Sequence, residues 1–129
     1  MGKIEEFEDL QIWQEARDIC KEVWNFIEST PLGKDYRLKD QMNGSSGSIM
    51  DNIAEGFERN GNREFLHFLS TAKASCGELR SQLYRCLDRK YIDQNTFDKM
   101  VYKTKTEGKK IGAFMRYLKN SERKGSKYD

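Results

Sequence analysis

Ten basic side chains crowd the last part of the chain: Lys99, Lys103, Lys105, Lys109, Lys110, Arg116, Lys119, Arg123, Lys124 and Lys127. Wound on a helix, Lys99, Lys103, Lys109, Lys110 and Arg116 fall away from the apolar stripe Phe97, Val101, Thr104 and Ile111. They make an exposed basic face beside a basic tail. Such a face suits phosphate backbones, with affinity that falls steeply as salt rises, and it equally suits a plain solvated surface. Together with Lys119, and with Arg80 and Arg85 of the preceding helix, these residues are the candidate nucleic-acid contacts.

Other constellations are incomplete. Glu64-Phe65-Leu66-His67 has the Glu-x-x-His spacing that places a carboxylate and an imidazole on one helix face in carboxylate-bridged di-iron bundles. That site needs a second such motif and two further glutamates, and His67 is the only histidine. His67 is therefore expected at the surface, with Glu64 favouring the positive start of its helix. A Cys–His or Ser–His pair would also have to use His67, and Gly44-Ser45-Ser46-Gly47 lacks the Gly-Lys-Ser/Thr ending of a phosphate loop. The chain is expected not to be an enzyme and to use no metal, cofactor or small-molecule substrate. Asn52, Glu55, Ser75 and Glu78 sit on or beside apolar stripes and are expected to form a hydrogen-bond network that pins one helix to the next.

The elements that carry these residues are helical throughout. Leu10, Trp13, Ala16, Cys20, Val23 and Ile27 recur at steps of three and four, so a helix is expected over 9–29, with Asp9 as N-cap and Pro31 closing it. A second helix over 35–58 keeps the register Leu38, Met42, Ile49, Ile53 straight through Gly44–Ser48. Those small residues read as a narrow strip where another helix sits close, not as a linker. The third helix, 63–89, carries Phe65, Leu69, Ala72, Cys76, Leu79, Leu83 and Cys86. The fourth, 93–119, has an inner face of Phe97, Met100, Val101, Thr104, Gly108, Ile111, Met115 and Leu118, and residues 120–129 read as a flexible basic tail. No period-two alternation competes. The expectation is an all-α, antiparallel up-down-up-down four-helix bundle in one domain.

A chain of 129 residues holds one core and not two. No apolar run reaches the roughly 18 residues that span a bilayer, and Met1–Glu6 lacks the apolar segment of a signal peptide, so a cytoplasmic protein without a membrane partner is expected. Cys20, Cys76 and Cys86 show no Cys-x-x-Cys spacing and fall near the stripes, as reduced core thiols do. The net charge of +2 hides an asymmetry. Residues 1–30 hold three basic and eight acidic side chains, whereas residues 94–129 hold ten basic and four acidic. The two ends can lie side by side in one bundle or face each other between subunits.

Several blocks of the chain resemble one family. Phe7-Glu8-Asp9-Leu10, Trp13-Gln14-Glu15-Ala16, Leu38-Lys39-Asp40-Gln41, Ser48-Ile49, Asn52-Ile53-Ala54-Glu55-Gly56 with Arg59, Phe65, Phe68-Leu69, Ala74-Ser75, Glu78-Leu79 and Gln82-Leu83 are similar to the four-helix bundle proteins encoded in intervening sequences of bacterial 23S ribosomal RNA. The similarity spans nearly all of residues 7–118. It implies closed homopentameric rings with a basic surface. It also implies a relationship to the accessory variability determinant (Avd) of diversity-generating retroelements, which binds a reverse transcriptase and its RNA in mutagenic retrohoming. The implied partners are thus further copies of the chain, RNA and a reverse transcriptase. Where the family usually has two consecutive arginines and a small residue, this chain has Asn43-Gly44-Ser45, which shifts nucleic-acid contact to the fourth helix. Ala74 stands where the family favours glycine, a smaller departure. The alternative reading is a protein-interaction scaffold of the same family that never touches nucleic acid.

Overall fold

The computed structural model describes residues 3–123, and they form four α-helices without a strand. These are α1 (Gln11–Ser29), α2 (Tyr36–Glu58), α3 (Asn62–Asp88) and α4 (Gln94–Arg123). Asp9 does not cap α1. Its carboxylate accepts from the N–H groups of Glu5 and Glu6 at 3.0 Å each, closing a 3-10 turn over Phe7–Asp9, and Leu10 occupies the cap. Phe7 then packs edge-on against Trp13, with ring centroids 5.1 Å apart. The lead-in is therefore ordered from this turn onward. At the far end of α1, Thr30 donates to the carbonyl of Phe26 at 2.6 Å and accepts from the N–H of Leu32, and Pro31 opens a short 3-10 turn.

Asp35 fastens two helix ends at once. As N-cap of α2 it accepts from the N–H of Leu38, and its second oxygen accepts from Arg89 at 2.6 Å and from the Tyr91 hydroxyl at 2.8 Å, beyond the end of α3. The hydroxyl of Tyr91 and the guanidinium of Arg89 hold its carboxyl below the ordinary range. Helix α3 stops at Lys90, which takes φ +61°, so that the N–H of Tyr91 reaches back to the carbonyl of Cys86 at 2.9 Å.

The core runs between all four helices, with Leu38, Met42, Ile49, Ile53, Phe65, Leu69, Leu79, Leu83, Met100 and Ile111 withdrawn from water. Along α1 the buried stripe is Ile12, Ala16, Ile19, Val23 and Ile27, one position away from the expected Trp13 and Cys20, which flank it half-buried. The two isoleucines are the larger aliphatic groups, and they take the centre. Between α2 and α3 the contact is close and polar. Ser45 donates to Gln82 at 2.6 Å, the hydroxyls of Ser48 and Ser75 meet at 2.9 Å, and the Asn52 amide donates to the carbonyl and hydroxyl of Ser48. Glu55 and Glu78, expected in this network, are exposed instead, with Glu55 paired to Arg59 at 2.7 Å. Their place is taken by Gln82, which stands seven residues after Ser75 in the same seam. Near the turn, a Cβ on Gly56 would lie 2.8 Å from both Phe65 Cδ1 and Phe68 Cβ, so only glycine lets α2 end against α3.

Gly44 and Gly47 behave otherwise. The helix expected close on the Gly44–Ser48 strip is α3, which meets it at Ser45 and Ser48, whereas at Gly44 and Gly47 nothing among the described residues lies within 4 Å of a Cβ. Residues 120–123, expected in the flexible tail, belong instead to α4, which continues to Arg123 and buries Ser121. The rest of that tail, 124–129, lies outside the described residues.

Helix α4 buries a carboxylate. Its stripe Phe97, Met100, Thr104, Glu107, Ile111 and Leu118 puts Glu107, not Gly108, in the core at 1% exposure. Neither Glu107 oxygen finds a hydrogen-bond partner among the described residues. Burial pushes its carboxyl up to about 8, with Glu15 adding to the shift and Lys110 opposing it. Burial likewise pushes the Cys76 thiol up to about 12 and that of Cys86 to about 11.

Two expectations follow from these buried groups. Unfolded, Glu107 ionises near its ordinary 4.5, whereas folded it keeps its proton to about 8. Its contribution favours the fold below about 4.5, falls as pH rises through that window by up to ~1.4 kcal/mol per unit, and stays unfavourable above it. Denaturant titrations of Glu107→Gln against wild type across this range should show that fall flattened and the variant the more stable above pH 8. Cys76 and Cys86, in turn, should resist a soluble thiol reagent in the native protein and react once denaturant is added, as counted by mass spectrometry.

Candidate nucleic-acid interface

Charge is sorted by face along α1 and α4. Glu15, Asp18 and Glu22, spaced three and four apart on α1, all turn toward α4. Lys110 meets both oxygens of Glu15, at 2.8 and 3.0 Å, and Lys103 reaches Glu22 at 3.3 Å and Asp18 at 3.6 Å. The hydrogen bond it donates to Glu15 holds the Lys110 ammonium above its ordinary range. Lys103 and Lys110 thus neutralise the acidic first helix and do not stand free on a basic face. Each such half-exposed pair contributes on the order of 0.5 kcal/mol to holding α1 in place.

The other expected contacts divide. Arg85 donates to Gln41 at 2.8 Å and is turned toward α2. Lys99 and Lys119 are exposed near the two ends of α4. Arg80, Lys109 and Arg116 gather along the side where α3 borders α4, and two residues outside the expected set join them. Lys73 is one: a Cβ on Gly112 would lie 3.3 Å from Lys73 Cε and 3.7 Å from Arg116 Nη1, so both cations converge over that glycine. Lys105 is the other, four residues before Lys109 on the same exposed face.

Lys73, Arg80, Lys105, Lys109 and Arg116 form a strip of positive charge with no ion pair among the described residues. Tyr102, three residues before Lys105, is 71% exposed but stands on the α1 side, beside Lys103 and Lys110. Tyr84, four residues after Arg80, is also exposed, its ring braced edge-on against Phe97 at 4.8 Å. Cations interleaved with exposed aromatic rings can hold phosphates and stack unpaired bases. Lys73 was legible as a basic residue off the α3 stripe; its place beside α4 shows in its side chain lying over Gly112.

His67 is exposed at the start of α3 against Phe68, and among the described residues no three His, Cys, Asp or Glu side chains are grouped as metal ligands. No described helix is long and apolar enough to cross a membrane.

No curated protein matches the chain. The model of the 23S rRNA-intervening sequence protein family, by contrast, matches residues 8–113, which takes in all of α1, α2 and α3 and most of α4. On that match the chain belongs to the 23S rRNA-intervening sequence protein family.

Proposed function

We propose that this protein is a non-enzymatic, homo-oligomeric bundle, antiparallel and up-down-up-down within each copy and pentameric as a whole, that holds RNA on the α3–α4 side. One observation carries the reading: five cations of that side have no carboxylate partner among the described residues, while the cations facing α1 are neutralised. Unpartnered charge is what a polyanion can use, because releasing its counterions then breaks no internal ion pair. The order of paired residues supports the antiparallel course, since Gln41, Ser45 and Ser48 meet Arg85, Gln82 and Ser75 in turn, and Glu15 and Glu22 meet Lys110 and Lys103. A role as the accessory subunit of a retroelement reverse transcriptase, as in Avd, rests on the sequence resemblance alone. The absence of the family's arginine pair at Asn43-Gly44 favours a second reading, a scaffold that contacts only protein.

Filter binding of the nuclease-treated protein to a structured RNA with single-stranded loops, across a salt series, tests this. The expected result is a log affinity that falls linearly with log salt, with Lys105→Glu/Lys109→Glu weakening binding at every salt and removing about 1 from the slope for each lost phosphate contact. Lys103→Glu/Lys110→Glu should act mainly on thermal stability, by setting new carboxylates against Glu15, Asp18 and Glu22. Absence of binding at low salt would overturn the RNA reading in favour of the scaffold.

A further inference from the structure

The side of the bundle opposite the cation strip carries a groove of about 620 Å³ between α1 and α2. Arg17, Cys20, Lys21 and Trp24 line it from α1, and Asn43 and Met50 from α2. Trp24 is 48% exposed, a large aromatic surface in contact with water. Arg17 and Lys21 are the only basic residues of α1, and both line this outer side while Glu15, Asp18 and Glu22 pair with α4. Arg17 rests on the ring of Trp13 at 6.0 Å, and Lys21 has no ion pair among the described residues.

The outer face of α2, next to the Asn43 and Met50 wall, has the opposite charge. Asp40, Gly44, Gly47 and Asp51, at steps of four, three and four, share the outer face of α2, and both aspartates are exposed. Each glycine inside a helix costs about 1 kcal/mol relative to alanine. Gly56 repays this by admitting Phe65 and Phe68, whereas nothing among the described residues uses the room left at Gly44 and Gly47. The α1 half and the α2 half are therefore complementary to each other, as two surfaces that meet head to tail between copies. The first is cationic with a protruding tryptophan, and the second is anionic with an open floor.

We propose that this face is a contact between copies of the chain, with α2 of a second copy seated against α1. Trp24 of one copy covers the Gly44–Gly47 strip of the other, and Arg17 and Lys21 face its Asp40 and Asp51. Each copy carries both halves of the match, the condition for closed symmetric assembly. The inference rests on the self-association proposed above and names the surface responsible for it.

Light scattering and sedimentation of the full chain, beside circular dichroism to verify folding, test the contact with two sets of variants. Gly44→Gln/Gly47→Gln fills the strip with helix-favouring side chains that the isolated copy has room for. It should keep its helix content and shift the mass from multimer to monomer. Arg17→Glu/Lys21→Glu and Asp40→Lys/Asp51→Lys should each dissociate alone and reassociate when mixed. Cys20, on the groove wall, should be alkylated several-fold faster in the dissociated variants than in the wild type. A multimeric wild type whose mass none of these changes would overturn this interface and leave self-association standing; a monomeric wild type would overturn both.

Discussion

The close approach of α2 to α3 is the constraint on which the rest of the bundle depends. It needs small residues at the contact and a partner for every polar group trapped there, and Ser45, Ser48, Asn52, Ser75 and Gln82 satisfy both conditions. Hydroxyl-to-hydroxyl and hydroxyl-to-amide bonds are directional, so they set the rotation and register of the two helices where apolar contacts alone would allow sliding. At one end of the seam Gly56 brings the backbone of α2 onto Phe65 and Phe68, and at the other Asp35 ties the start of α2 to Arg89 and Tyr91. With both ends and the middle fixed, α1 and α4 need only cover the exposed apolar flanks.

They do so with different physics. Helix α1 meets α4 through lysine–carboxylate pairs above the core, and Glu107, an acid that α4 turns inward, lies beneath Glu15 and Lys110 without a hydrogen-bond partner among the described residues. A neutral, protonated Glu107 is tolerated there because Lys110 is already committed to Glu15 and because a proton is cheaper to retain than an unpaired buried charge. Part of the charge asymmetry between the ends of the chain is thus internal, with Lys103 and Lys110 joining the last helix to the first.

Much of this was legible in the residues. Apolar spacing located four helices to within a few residues, and the phase carried through Gly44–Ser48 identified a helix where propensity suggested a linker. Three features were hidden, each for a physical reason. Adjacent positions on a helix differ by only 100°, so a stripe reading could not choose Glu107 over Gly108 or Ile19 over Cys20 when the chemically odd member is the buried one. The network survives at Asn52 and Ser75 but excludes Glu55 and Glu78, because a long carboxylate beside a seam reaches water more cheaply than it pairs inside. The basic face was the least legible. Whether a lysine is free depends on the helix across from it, and no one-dimensional pattern reports that α1 sets its acids against Lys103 and Lys110.

The two outer sides of the bundle then fall to different tasks by electrostatics alone. The outer face of α2, with Asp40 and Asp51 around two glycines and no arginine at Asn43 or Gly44, repels a phosphate backbone. The α3–α4 side attracts one. In a bundle whose helices follow one another around a square, the α1–α2 edge lies opposite the α3–α4 edge. Copies that join through the first leave the second facing outward, and several cation strips would then be displayed on one particle. A polyanion long enough to touch two strips binds the second at the effective concentration set by its own tether, so assembly multiplies a modest contact without any added residue. A chain that lacks the arginine pair can in this way recover affinity through copy number, and the glycines of α2, unfavourable within one copy, acquire their physical reason in the assembly.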